Sequence, residues 1–438
     1  MTKVKTLVVK KMKINLKKLS LTVCLVITLF LFAIQDSAII PQSAVEFDNS
    51  ELPKLNSDPV IIIDEDSDFL TYPGYGNETH PYLIEGFDIK REDLRPIGAP
   101  LNCCIIVANT TKHFVIQNNS VFRGYSGIRI ESVAPGTAKI INNNAEANMH
   151  GIYMINVTGA IIEDNYAYRM KIHTGITLEN CHDCNITNNI IEDLPFDVFQ
   201  YPNILCDGIR IFGCTGINII NNELYYCQEE AINIISSSDI LLQTNYIHDC
   251  DHIVPEEDFS GVITLTSTTS SIIYNNTVSH NRQWANIHTY LCDDILINKN
   301  TLSESERMGI YLKTTTNSNI TWNTISNHPK HGVSIWQGGG NNIIHHNTFQ
   351  DNNPDGTSQG ADYSSNNVWY DTATNEGNWW SDWAGGDYRI DGTSDSVDPH
   401  PLGTYITVSE FSIKIGMLFI TVPVIACITL ISIKKKRK

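Results

Sequence analysis

Positive charge is scarce in the body of this sequence. Of the 30 Lys and Arg among 438 residues, seven lie in residues 1–18 and five form residues 434–438, where no acid occurs. The stretch between carries 18 basic residues against 48 acids, a balance of −30, whereas the whole chain is −18. Nucleic-acid binding needs a cationic face that displaces counterions, so no nucleic-acid partner is expected. Cysteine is also sparse, 11 in 438 residues, which excludes a small disulfide-stapled scaffold and leaves a chain long enough for its own core.

Long apolar runs are absent except at the two ends. Residues 19–34 are apolar and follow the Lys-rich start; at this length they suit a signal peptide or an N-terminal membrane anchor. Residues 415–433 carry no charge and run into the basic tail 434–438. A 19-residue helix spans about 28 Å, close to the hydrocarbon thickness. Basic flanks stay on the cytoplasmic side, so the acidic body is expected outside the cytoplasm, tethered to the cell membrane.

The body has no helical period either. It reads instead as rows, "FVIQNNSVF", "KIINNNAEA", "AIIEDNYAY", "CNITNNIIED", "INIINNELY", "ILLQTNYIH", "SIIYNNTVS", "ILINKNTLS", "SNITWNTIS" and "NIIHHNTFQ". Their shared asparagines are Asn119, Asn144, Asn165, Asn189, Asn222, Asn245, Asn276, Asn300, Asn323 and Asn347. The period is 21–25 residues, lengthened twice by insertions near 195–203 and 254–258. Each row opens on a small residue and an alternating strand such as "GIRIE" or "GIYMI". Three short strands and three turns fill such a period, and no helix fits beside them. Leucine-rich repeats share the period, but their Leu-x-x-Leu-x-Leu signature is missing. The expectation is an all-β, right-handed parallel β-helix, a solenoid of about ten coils stacked at about 4.8 Å. The recurring Asn is read as a structural ladder in which each amide bonds to the next coil, since an active site would not recur in every repeat.

The organisation follows: 1–35 signal peptide or anchor, 36–59 linker, 60–104 N-terminal cap, 105–350 repeats, 351–403 C-terminal cap, 404–414 linker, 415–433 transmembrane helix, 434–438 cytoplasmic tail. Two flanking motifs add a resemblance. "GYGNETHPYLIEGFDI" (74–89) is similar to the opening, and "NEGNWWSDWAGGDYRIDGTSDSVDP" (375–399) to the closure, of the NosD-like or carbohydrate-binding and sugar-hydrolase group of β-helix proteins. The resemblance covers roughly residues 60–402 and implies that fold. Relatives in the group include polysaccharide-processing enzymes, copper-site maturation proteins and cell-surface proteins. The closing tail departs from the group: Asp387, Asp391 and Asp395 are spread out, which argues against a Ca²⁺ loop.

Alternation places Ile128, Ile130, Ile152, Met154, Ile176, Leu178, Ile209 and Ile211 inside the coil. Outward lie Arg129, Tyr153, Arg210, Phe212, His288, Tyr290, Tyr311, Lys313 and Trp336, a flat strip of rings and charges. Such a strip suits sugar rings and their hydroxyls; an ordinary solvated sheet gives the same pattern. Substrate binding is assigned to Arg129, Tyr153, Phe212, His288, Tyr290, Tyr311, Lys313 and Trp336. The residue before each row's opening glycine brings Asp207 and Glu230 onto neighbouring coils, with Glu179 and Arg210 nearby. Paired carboxylates serve glycosidic hydrolysis, and an Arg beside them could neutralise a uronate in a lyase. Asp207, Glu230, Glu179 and Arg210 are therefore the catalytic candidates, with solvated acidic turns as the plainer reading.

Cys181 with Cys214, and Cys227 with Cys250, share repeat positions on adjacent coils, the placement for disulfides or for stacked thiols filling a ladder. "CHDC" (181–184) and His345–His346 lack a second ligand pair in their own coils, so no metal or other cofactor is expected. Together these features predict a membrane-anchored extracytoplasmic β-helix that binds, or as a hydrolase or lyase cleaves, cell-surface or extracellular polysaccharide. The alternatives are a non-enzymatic adhesion rod or, by resemblance alone, an accessory protein for copper-enzyme maturation.

Overall fold

The computed structural model describes residues 57–91, 102–170, 174–192, 206–250 and 260–404. Both apolar terminal runs and both insertions lie outside these residues. No helix among the described residues is long and apolar enough to cross a membrane.

Each period folds into three strands that join three different sheets. The chain passes, for example, from Ser126–Glu131 to Ala138–Ile141, then Asn144–Glu146, and returns to the first sheet at His150–Ile155. We call these sheets A, B and C; they hold 13, 11 and 12 strands. Every ladder in them is parallel and in register, such as Ile152 against Ile128 and Ile176. Strands this short bury one or two side chains each, as in Ile161–Glu163 and Tyr166–Tyr168, where only the middle residue is buried. Like side chains therefore stack on like along the axis, and Ile128, Ile152, Ile176, Ile209 and Ile232 form one column of the core. Full burial of each such side chain stabilises by roughly 1.5–3 kcal/mol. The row-opening glycines answer a close approach. A Cβ on Gly151 would lie 2.5 Å from the Gly175 carbonyl oxygen, and one on Gly208 2.5 Å from that of Ala231.

The asparagine ladder runs through the bend between sheets B and C. Its members are Asn119, Asn143, Asn165, Asn189, Asn222, Asn245, Asn276, Asn300, Asn323 and Asn347, and it extends to Asn378. In each step the Oδ1 accepts both the backbone N–H and the Nδ2 of the Asn one coil earlier; for Asn222 both distances are 2.9–3.0 Å. The Nδ2 also donates to a core-strand carbonyl, as Asn245 does to Ile219 at 2.9 Å. The residue before each rung turns the corner in the left-handed region: Asn118 at φ 56°, Asn221 at 57°, Asn275 at 55°. Asparagine tolerates that region better than most residues, which explains the Asn-Asn pairs. One rung differs from expectation. In the run Asn142–Asn143–Asn144 the rung is Asn143; Asn144 begins the sheet C strand and is half-buried. Three successive asparagines satisfy the same local pattern, and only stacking on Asn119 and Asn165 selects the middle one.

Cysteines fill a second ladder. The Cys214 sulfur accepts the Cys181 N–H at 3.3 Å and donates to the Phe212 carbonyl at 3.3 Å. One coil later Ser237 repeats both bonds with its hydroxyl, to Cys214 N and Ile235 O. Cys227 and Cys250 stand on adjacent coils in the column that Asn281 continues, where the Asn281 Oδ1 takes the Cys250 N–H at 2.8 Å. All nine described cysteines are buried free thiols, so both pairs occupy the ladder arrangement. The segments taken as caps add coils of their own: Ile61–Ile63, Tyr82–Glu85 and Asp88–Lys90 begin the three sheets. At the other end Trp380 stacks on Phe349 and Tyr388, at 4.1 and 4.0 Å, and closes the core.

Candidate functional site

Strand register sorts the outward residues of sheet A into two columns. Arg129, Tyr153, Thr177, Arg210, Asn233, Thr264, His288 and Tyr311 follow one another in the first. Glu179, Phe212, Ile235, Thr266, Tyr290, Lys313 and Trp336 follow in the second. Thr177, Thr264 and Thr266 were legible from the same alternation.

The strip is less open than alternation suggests. Tyr153, His288 and Tyr311 are 9%, 7% and 6% exposed, so they do not offer free ring faces. They pack on one another instead. His150 stacks on Tyr153 at 4.7 Å, and Arg129 lies over the same ring at 5.0 Å. Arg129 also bonds Glu131 at 2.9 Å, which takes up its charge. Glu179 sits beside Tyr153, and burial first, then that carboxylate, raises the phenol above its ordinary value. Farther along, His288 stacks on Tyr311 at 5.1 Å and Lys313 lies 5.0 Å from the Tyr290 ring. Trp336 meets Tyr363 edge-on at 4.2 Å. Phe212, Tyr290 and Trp336 in the second column stay half-buried, and their side chains have a solvent side.

Between the two aromatic groups lies the acid pair. Asp207 and Glu230 stand on neighbouring coils, since the Gly208 N–H donates to the Glu230 carbonyl at 2.9 Å. Both are buried, and their carboxyls lie within hydrogen-bond reach of each other. Burial pushes both acids up, Glu230 well above its usual range, with the Asp207 charge adding to it. Arg210 pulls Asp207 the other way. The Asn233 amide donates to Asp207 Oδ2 at 3.2 Å, and Oδ1 has no partner. Two adjacent buried carboxyls of this kind hold protons more tightly than solvated carboxylates do. Arg210 thus joins the pair, whereas Glu179 belongs to the Tyr153 group one coil away.

Sequence reasoning missed one member. Glu229, 2% exposed, adds a third buried acid whose charge further raises Glu230; its adjacency to Glu230 was the available signal. His288, expected in the binding strip, has both ring nitrogens buried and without a partner, and burial lowers its pKa to about 4.

Among known proteins, no curated sequence matches the chain. Solved structures that resemble it include the Dettilon tailspike protein, at 15% identity and TM-score 0.41, over 73% of this chain and 60% of that one. The mannuronan C-5 epimerase A-module of Azotobacter vinelandii follows at 11% and 0.42, covering 75% and 88%. The GH87 α-1,3-glucanase catalytic unit of Streptomyces thermodiastaticus is at 12% and 0.46, covering 78% and 68%. None of these likenesses bears on what this chain binds. Its three parallel sheets, stacked coils and polar ladders have their counterpart in a family profile described as the right handed beta helix region, which matches residues 93–195 and 203–375; the chain belongs to that right-handed β-helix family.

Proposed function

We propose that the protein is a membrane-anchored extracytoplasmic β-helix, of the NosD-like kind, that binds polysaccharide along the outward side of sheet A. The observation that carries this reading is the second column, where Phe212, Tyr290 and Trp336 keep a solvent side at intervals of two and three coils. Those intervals are about 10 and 14 Å at the spacing of parallel strands, a scale on which several sugars of one extended polymer can contact successive rings. Arg210 and Lys313 beside them supply donors for hydroxyls. A neutral polymer fits better than a polyuronate, because Glu131 already holds Arg129 and the body is strongly acidic. The opening and closing motifs support the NosD-like assignment, and the charge-free run before the basic tail supports the anchor.

The detergent-solubilised full chain on a glycan array tests the reading. Binding to a defined class of glycans, lost in Trp336→Ala and Tyr290→Ala, is the expected result. A silent array with the folded protein would favour the adhesion rod.

One observation favours cleavage as a second reading. A buried carboxyl pair with raised proton affinity is the kind of group that donates a proton to a glycosidic oxygen, and Asp207 Oδ1 is not committed to any partner. Hydrolysis of the array-positive polymer should release reducing ends, and Asp207→Asn should stop it. Release that persists in both Asp207→Asn and Glu230→Gln would remove the pair from any mechanism.

A further inference from the structure

The tenth row carries two adjacent histidines that the binding strip does not use. His345 closes the sheet B strand Ile343–His345, and His346 turns the corner at φ 54°. Their Nδ1 atoms face each other at 2.5 Å. The carboxylate of Asp371, one coil farther along the chain, joins them, and one donor atom from each of the three residues falls within 4.8 Å of the others.

The surroundings hold this arrangement in place. The His346 Nε2 lies 2.8 Å from Glu376 Oε2 and Trp322 stacks on its ring at 4.4 Å. A carboxylate on Nε2 takes that N–H and turns the Nδ1 lone pair toward His345, the way outer carboxylates orient metal-bound imidazoles. Asp371 and Glu376 are fixed relative to each other by a tight loop. The Asp371 N–H donates to the Glu376 carbonyl, and the Asn375 N–H to that of Asp371, both at 2.8 Å. The same loop is tied to the coil by the His346 N–H, which donates to the Gly377 carbonyl at 2.7 Å. The Asp371 oxygens accept from Ala373 N and Thr374 Oγ1 at 2.9 and 3.0 Å, and each keeps a lone pair free. Bonds of about 2.0–2.1 Å in a tetrahedron set ligands near 3.4 Å apart. The present separations bracket that value.

We propose that His345, His346 and Asp371 form a binding site for a divalent first-row transition metal ion of the zinc class, with Glu376 orienting His346 from behind. Two imidazoles and one carboxylate suit zinc and its neighbours better than calcium or magnesium. Water completes the coordination on the solvent side. Binding ties the last full coil to the segment that covers it, so the ion stabilises the C-terminal end of the solenoid by mass action.

The test uses the untagged full chain in detergent, stripped with a chelator and titrated with zinc chloride by calorimetry and with cobalt by visible absorption. One zinc per chain, a cobalt spectrum of tetrahedral type and a zinc-dependent rise in unfolding temperature are expected. His345→Ala and Asp371→Asn should each weaken zinc at least about tenfold, and Glu376→Gln about 10–100-fold. Asp371 is on an exposed loop, so circular dichroism of Asp371→Asn separates a lost ligand from a lost fold. Absence of zinc binding in the parent chain overturns the site; so does unchanged affinity in either ligand variant.

Discussion

Two neighbouring asparagines should respond very unequally to the same substitution. Asn143→Leu removes the oxygen that accepts the buried Asn119 N–H at 3.1 Å and the Asn119 Nδ2 at 3.0 Å. It also removes an amide that donates to Ile116 O at 2.9 Å and Asn165 Oδ1 at 3.0 Å. The Asn119 Nδ2 keeps Ile84 O, at 2.9 Å, so the Asn119 N–H is the group left orphaned. An orphaned buried donor costs about 1–3 kcal/mol and each of the two lost donor bonds about 0.5–1.5 kcal/mol, which together come to roughly 2–6 kcal/mol. That is a large part of the roughly 5–15 kcal/mol that holds an ordinary domain folded. Asn144→Leu changes a half-buried strand residue whose Oδ1 has no partner, and should stay within about 0.5 kcal/mol. Urea unfolding followed by far-ultraviolet circular dichroism reads the difference. Hydrogen exchange adds a local readout, with the Asn119 amide losing protection only in Asn143→Leu. Equal destabilisation by the two variants, or an Asn119 amide as protected as before, would refute the ladder argument.

Other expectations follow from the same geometry. Asp207 and Glu230 bind protons more tightly folded than unfolded, so their contribution to stability is complete below about pH 4, where the unfolded groups titrate. It is lost as pH rises through their raised folded values. Thermal unfolding of the Asp207→Asn, Glu230→Gln double variant should therefore fall less than the parent's between pH 4 and 8, and parallel curves would sink the reasoning. Cys214→Ser should cost about 1 kcal/mol or less, because Ser237 makes the same two bonds one coil away; Cys214→Val strands the Cys181 N–H and should cost about 1–3 kcal/mol in the same urea assay. Gly208→Ala places a methyl 2.5 Å from the Ala231 oxygen and should destabilise by about 1–3 kcal/mol. A midpoint unchanged from the parent would mean that the coils part there without strain.

Much of the solenoid was legible in the linear chain because its repeat is local. A strand that buries one residue in three, a bend that favours asparagine and a close approach that favours glycine all leave marks within one period. Those marks gave the coil, the inward Ile columns and nine of the ten rungs. They failed at Asn144, where three asparagines in a row fit the bend equally and only the rungs above and below choose. They failed also on exposure: alternation puts Tyr153, His288 and Tyr311 outside the coil but does not show that they bury one another there.

The candidate sites divide along the same line. Asp207 and Glu230 could be paired from sequence because they hold the same place in consecutive rows, and Arg210 came with them. Glu179, two residues along its strand from Thr177, shares the neighbourhood but turns to Tyr153. The histidines at 345 and 346 are visible as a dipeptide, yet Asp371 and Glu376 meet them only through stacking of the next turn of chain. Local patterning, set by strand alternation and backbone bends, fixed the fold. Contacts across coils, which depend on where each coil lands over the last, decided which polar groups are buried together and which could hold a ligand.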